Sequence, residues 1–349
     1  MVMAAFPLYM LARSATNHRF FSFTLVLSYL FFIGTQFAIL NEFHQITFAP
    51  LFIILLYYAL HMNNPKLYWF SILALLITKE DLSLLVGAIG IGLLFFKQYK
   101  KLGLATAILG LCMFFFLIYI FMPAISFKGV YDHFHFGPIG KTPLEIIFNL
   151  MKNPGLFAYT MINPHIKLQT LFRSFFTFSL LPLFAPLPYL IPLIEDFSDR
   201  FIYSGPQYTK WGLVNHHAAT GAMLLAITSV YAVLKLSKLF KTSESKKRFY
   251  ILVGIILIST TTLNNLVFHG PINSLFKRQF YEEEKWVIDN REVIAQVPKS
   301  VSVAAQNNLL PHMTHRDDIY RLPFGLNSEY MVVDLHNGAN DYAYAPMNF

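Results

Sequence analysis

The feature that most limits this chain is a series of uncharged apolar stretches, each near the length a bilayer demands. Crossing the hydrocarbon core takes roughly 20 mostly apolar residues, with about 17 as the lower bound. Phe20–Leu40, Leu102–Met122, Ala218–Leu236 and Phe249–Phe268 meet that requirement, and Ile46–Met62 meets it narrowly. Met1–Ala12 is apolar but too short, and it has neither the basic lead nor the cleavage site of a signal peptide. It reads as the end of a helix. Charged residues make up 13% of the chain, about half the share usual in soluble domains. A disordered chain and an ordinary soluble enzyme are both excluded. The single cysteine, Cys112, lies inside an apolar run, which excludes a disulfide framework and a Cys-based zinc site.

The net charge of +8 would suggest nucleic acid in a soluble protein, but its placement indicates topology instead, and no nucleic-acid partner is expected. Arg13–Arg19, Asn63–Lys66, Lys97–Lys101 and Lys235–Arg248 together hold twelve Lys or Arg and one acid, Glu244. Short loops rich in Lys and Arg stay on the cytoplasmic side. The opposite side then receives Asn41–Gln45, Lys79–Asp81, a loop over 123–170, the stretch Glu195–His217 and the C-terminal region. Residues 281–349 carry ten of the 19 acids and five of the 27 basic residues, and the apolar runs stop near Phe268. The expected architecture is an all-α polytopic membrane domain over 1–270, with about 8–10 hydrophobic helices, and a small extracytoplasmic α/β module over 281–349. The plasma membrane is the expected location, and membrane lipid the first partner.

Two segments resist a simple span. Leu67–Phe96 is interrupted by Lys79-Glu80-Asp81, and three ionisable residues at mid-depth cost several kcal/mol. Two short helices meeting at a polar joint avoid that cost. Leu171–Ile194 contains Pro182, Pro186, Pro188 and Pro192. Proline removes a backbone donor and bends helices, so this segment is expected to enter, break near the prolines and return as a short helix. In the C-terminal module, apolar residues at Trp286, Val287, Val293, Ile294 and Val297 predict a helix over Glu282–Val297 with one buried stripe. Val301–Ala305, Ile319–Leu322 and Tyr330–Leu335 read as short strands, with a helix or turn within Asn307–Arg316.

Ionisable groups in short turns at one membrane face are functional candidates. Glu80, Asp81 and Glu42 are candidate catalytic carboxylates, with Lys79 and His44 beside them. His216 and His217 stand before the Ala218–Leu236 span, where they can orient a phosphate or donate a proton, or cap the interface. Glu195, Asp196 and Asp199 read as solvated loop residues. Asp132, His133 and His135 have the spacing of a metal-ligand cluster, so a divalent metal ion is the candidate cofactor. Asn307, His312 and Arg316 fall within ten residues, close enough to bind sugar or phosphate, or to fix a short helix in place.

Pro7-Leu8-Tyr9 with Leu11-Ala12-Arg13, Phe43-His44 ahead of Phe48-Ala49-Pro50, and Thr78-Lys79-Glu80-Asp81 resemble the DUF2079 family of multi-span membrane proteins. So does the run from Val303 to His312, with His315-Arg316 and Ile319-Tyr320. The resemblance covers most of the chain, and that last block is its most specific part. The family is similar in layout to the C-type glycosyltransferases, which take a sugar from a polyprenyl-phosphate carrier on the extracytoplasmic face. This implies a C-type-like fold, a polyprenyl-phosphate-linked sugar as partner, a carboxylate from Glu80 or Asp81 to activate the acceptor hydroxyl, and Lys79 for the leaving phosphate. It also implies a further span and outer loop before the first helix, the loop that carries the principal catalytic acid in C-type enzymes. Where the family pattern has His followed by Tyr, this chain has His216-His217. The alternatives from the residues themselves are a transporter or lipid flippase, suggested by proline-broken helices and polar joints, and a non-catalytic scaffold of the cell envelope.

Overall fold

A computed structural model describes residues 1–41, 43–131, 135–203 and 210–336. The chain divides into two compact units, Met1–Asn273 and Ser274–Phe349. The first is helical: α1 (Ala5–Thr16), α2 (Arg19–Leu30), α3 (Ile33–Leu40), α4 (Ala49–His61), α5 (Pro65–Thr78), α6 (Leu82–Leu93), α7 (Lys100–Phe116), α8 (Met122–Ile125), α9 (Pro143–Lys152), α10 (Pro154–Ile162), α11 (Ile166–Thr177), α12 (Leu187–Ile202), α13 (Ala219–Ser237) and α14 (Ser243–Val267). Local chemistry sets several starts. Asn64 accepts a hydrogen bond from the Leu67 N–H with Pro65 opening α5, and Thr242 with Ser245 forms a capping box at α14, each satisfying otherwise orphaned donors.

Helix α13 is the centre of this unit and touches α1, α2, α3, α4, α12 and α14. Of its most apolar window 78% is buried, against 28% for Lys97–Ile125 and 39% for α14. The outer helices therefore turn apolar faces away from the protein, with Leu104, Ile108 and Leu111 exposed on α7 and Leu252, Ile255 and Leu266 on α14. Such faces suit lipid, which is as apolar as they are. Among the described residues, three helices are long and apolar enough to cross a membrane, Lys97–Ile125, Ala219–Ser237 and Ser243–Val267, and α2 with α3 makes a fourth if the bent pair is one span. Gln45–His61, Pro65–Thr78 and Leu82–Leu93 are shorter apolar helices.

The stretch Phe20–Leu40, expected to span as one helix, is long and apolar enough to cross but is broken into α2 and α3, bent by 52°. The Phe31 carbonyl, which lies at the bend, accepts hydrogen bonds from Gln36 Nε2 at 2.7 Å and Asn265 Nδ2 at 2.8 Å. Gln36 Nε2 also donates to Asn265 Oδ1 at 2.7 Å. The proline-rich segment does break as expected. Helix α11 stops at Thr177, Ser179 and Leu180 take left-handed φ of 56° and 57°, and α12 starts after Pro186. The Thr177 carbonyl is again satisfied from α14, by Thr261 Oγ1 at 3.0 Å. Where lipid offers no partner, the protein must supply one, and α14 supplies both.

The second unit holds α15 (Lys285–Gln296) and three short strands, β1 (Val303–Ala305), β2 (Ile319–Arg321) and β3 (Tyr330–Val332). They form a parallel sheet in the order β2-β1-β3. Its core is Val297, Val303, Ala305, Leu309, Met313 and Val332. Of the stripe expected on α15, Ile294 packs against this core and Val297 enters it, whereas Trp286 and Val293 are exposed. Trp286 stacks on His336, with ring centroids 4.1 Å apart.

Candidate functional site

Helix α5 ends at Thr78 because Lys79 turns to an extended conformation, φ −161° and ψ 149°. Helix α6 resumes at Leu82, so Lys79, Glu80 and Asp81 form the polar joint that the charges within an apolar run implied. The joint faces the last turns of α12 and the segment leading into α13. A cavity of about 40 Å3 lies among Lys79, Asp81, Glu195, Asp196, Asp199, Arg200, Lys210, His216, His217 and Thr220, with Ile46, Leu82 and Leu85 as its apolar wall. That is room for water molecules or a small ion rather than for a sugar.

Ion pairs organise the cavity. Lys79 Nζ lies 2.7 Å from Asp81 Oδ2, Lys210 Nζ 2.6 Å from Asp199 Oδ2, and Arg200 Nη1 3.3 Å from Asp196 Oδ2. Thr220 donates a short hydrogen bond to the other oxygen of Asp196. Arg200 also donates to the carbonyls of Lys210, Trp211 and Gly212, which ties α12 to the entry of α13. Two groups are left over. Asp81 Oδ1 is buried with no hydrogen-bond partner, and Glu195 has neither an ion pair nor a hydrogen bond among the described residues.

The electrostatics follow from these contacts. Burial raises the Asp81 carboxyl, but Lys79 and Lys210 outweigh it and hold the group below its ordinary range. Burial likewise opposes the charge on Lys79, and Asp81 more than restores it. His216 is pushed down to about 4 and His217 to about 3, by burial first and then by the neighbouring imidazole. Both are therefore neutral at physiological pH. Asn41 Nδ2 lies 3.4 Å from His216 Nδ1. The His44 ring lies on His216, with centroids 3.5 Å apart. Tyr131 donates to Glu80 Oε1 at 3.0 Å.

Lys79, Asp81, His216 and His217 thus share one cavity, with His44 and Glu80 at its margin. Glu42, Asp132 and His133 lie outside the described residues. His135 is placed against Tyr203, ring centroids 6.3 Å apart, and does not line the cavity. Asn307, His312 and Arg316 belong to the second unit. There Arg316 donates to the carbonyls of Pro298 and Val297, holding the connection before β2 to the chain that follows α15. Asn307 and His312 are exposed.

Glu195, Asp196 and Asp199, expected to be solvated, line the cavity instead, because α12 turns that face inward. Arg200, Lys210 and Thr220 were missed. The four-residue spacing of Asp196 and Arg200 on a helix was a usable signal. Nothing local marks Lys210 or Thr220. A bound divalent ion would need three or more convergent ligands, and no such group of His, Cys, Asp or Glu exists among the described residues. The described donors therefore do not fit a resident metal.

Set against models of known protein families, residues 1–344 match the family described as predicted membrane protein, DUF2079. No curated protein and no solved structure matches.

Proposed function

The chain belongs to the DUF2079 family of predicted membrane proteins, and on that premise we propose that it acts as a glycosyltransferase-like membrane protein. In this reading it uses a polyprenyl-phosphate-linked sugar at the extracytoplasmic face of the plasma membrane. The observation that carries the reading is Asp81 Oδ1, a buried carboxylate oxygen with no donor among the described residues, on a group whose other oxygen is held by Lys79. A carboxylate with one oxygen held and the other lacking a donor has a lone pair left to accept the proton of an acceptor hydroxyl. That hydroxyl oxygen would attack the anomeric carbon as the bond to the carrier phosphate breaks. Lys79 and Lys210, both lining the cavity, would meet the charge developing on the departing phosphate. The small cavity means that sugar entry requires the joint and the Lys210 segment to separate.

The outer placement of this cavity rests on the clustering of Lys and Arg in the other set of connections. No step is assigned to a metal. The test is transfer of a labelled sugar from polyprenyl phosphate in membranes carrying the full-length protein. Asp81→Asn is expected to lower transfer by about a hundredfold or more, the range of a lost general base, with expression unchanged. Undiminished transfer would defeat the reading.

A second reading, a transporter or flippase, is favoured by the bent pair α2–α3 and by a cavity of about 40 Å3, a size suited to an ion rather than a sugar. Vectorial uptake into proteoliposomes without sugar transfer would select it. Normal envelope phenotype in every variant of the acidic joint would leave a scaffold.

A further inference from the structure

At the other end of the α2–α3 path from Asn41, a second and larger recess opens. Arg13, Asn17, His18, Arg19, Phe20 and Ile251 line a groove of about 640 Å3. Its polar lip is the turn between α1 and α2, and its wall is where α2 crosses α14. The crossing is close: a Cβ on Gly254 would sit 2.8 Å from the Phe20 ring, so glycine lets that ring lie against the α14 backbone.

The charges in the groove are uncompensated. Arg13 bonds only the neutral side chain of Asn17. Arg19 makes neither a hydrogen bond nor an ion pair among the described residues. Among the described residues no acid lines the groove, and the nearest in sequence on α14, Glu244, is paired with Arg248 at 3.0 Å. His18 Nδ1 accepts from the Phe21 N–H at 3.3 Å, which leaves the ring proton on Nε2. Burial, and then the charges of Lys247 and Arg13, lower the basicity of this imidazole, and its Nε2–H is the donor it offers. Below these groups the surface is apolar. Phe20 is 42% exposed and Ile251 37%, and Phe23 and Ile255, one turn further along each helix, are 55% and 51% exposed.

A free phosphate would satisfy the guanidinium groups and leave the apolar track bare. A neutral lipid would cover the track and leave the charges. We infer that this groove holds an anionic phospholipid, with its phosphate at Arg13, Arg19 and His18 and an acyl chain along Phe20 and Ile251. The assignment stands whether or not the polar cavity is a transferase site.

The test is lipid retention by the full chain, extracted from bilayers of phosphatidylcholine and phosphatidylglycerol and analysed by native mass spectrometry. The wild type is expected to retain phosphatidylglycerol in preference to phosphatidylcholine. Arg13→Gln with Arg19→Gln should lower that retention about thirtyfold, from two lost headgroup contacts, while lysine at both positions keeps most of it. Ile251→Glu, which changes an exposed wall position, should lower retention with both arginines intact, and it decides the matter if the double variant fails to fold. Equal retention of the two lipids, undiminished retention in folded variants, or displacement by excess inorganic phosphate would overturn the assignment.

Discussion

Asp196 sits between Arg200 and Thr220, with the side chains of the ion pair only 5% and 6% exposed. A buried guanidinium deprived of its carboxylate costs about 3 kcal/mol or more. Asp196→Ala should therefore lower the unfolding free energy by about that amount, read from denaturant titration in mixed micelles. Asp196→Leu with Arg200→Met removes both charges and should recover most of the loss. A double variant no better than the single would show that Arg200 is held by its carbonyl contacts. His216 and His217 act at the same scale with the opposite logic. Their folded values, about 4 and about 3, lie below the ordinary 6.5. As pH falls, the unfolded chain takes up protons first. Stability should be full above about pH 6.5 and fall progressively as the pH drops toward 4 and then 3. Thermal midpoints across that window should show a shallower acid slope in His216→Gln with His217→Gln, and an unchanged slope would place the titrating groups elsewhere.

Between elements, the tightest contact is backbone on backbone. A Cβ on Gly110 of α7 would lie 2.4 Å from the Gly87 nitrogen of α6, and one on Gly90 would lie 2.2 Å from the Ala107 nitrogen. Small residues at helix crossings allow this approach in membranes. Gly110→Leu should force the pair apart at a cost of about 3 kcal/mol, whereas Gly87→Ala, whose Cβ would meet the Leu111 side chain at an ordinary 3.5 Å, should be tolerated. Thermal unfolding of the two variants side by side checks the contrast. These close crossings were not legible from periodicity. A helix that is apolar all round carries no stripe to say which face packs, so α6 and α7 look alike on every side. The Lys79–Asp81 joint was legible because three charges cannot sit within a span unremarked, and the α11–α12 break because prolines announce it. The bend at Phe31 was not, since nothing in Phe31-Phe32-Ile33 interrupts the apolar run, and its support comes from Asn265, more than two hundred residues later. Lys210 was missed because it lies outside the helices, where no regular spacing marks its partner Asp199 or its neighbour Asp81.

For the whole molecule, one spatial statement joins the charge pattern to the proposed chemistry. If the Lys-rich connections face the cytoplasm, the joint at Lys79–Asp81 and the entry to α13 face the other way, since α5 runs from Pro65 to the joint and α13 from Ala219 to Ser237. The sorting can be tested with the chain's own cysteine economy. Cys112 is the only one, so Cys112→Ala gives a background on which single cysteines report compartments. Ser243→Cys, at the first residue of α14, should resist an impermeant maleimide in intact cells and react after permeabilisation. Lys299→Cys, exposed in the second unit, should react in intact cells. The two positions bracket α14, a span by length and hydropathy, so labelling of both from the same side would mean that α14 does not cross. Exchange of the two results would instead invert the molecule. The polar cavity would then open to the cytoplasm, where an extracytoplasmic polyprenyl-phosphate sugar cannot reach it. An inverted result therefore refutes the proposed transferase through topology alone, while leaving the ion pairs of the cavity and the basic groove at Arg13 and Arg19 intact as structural facts.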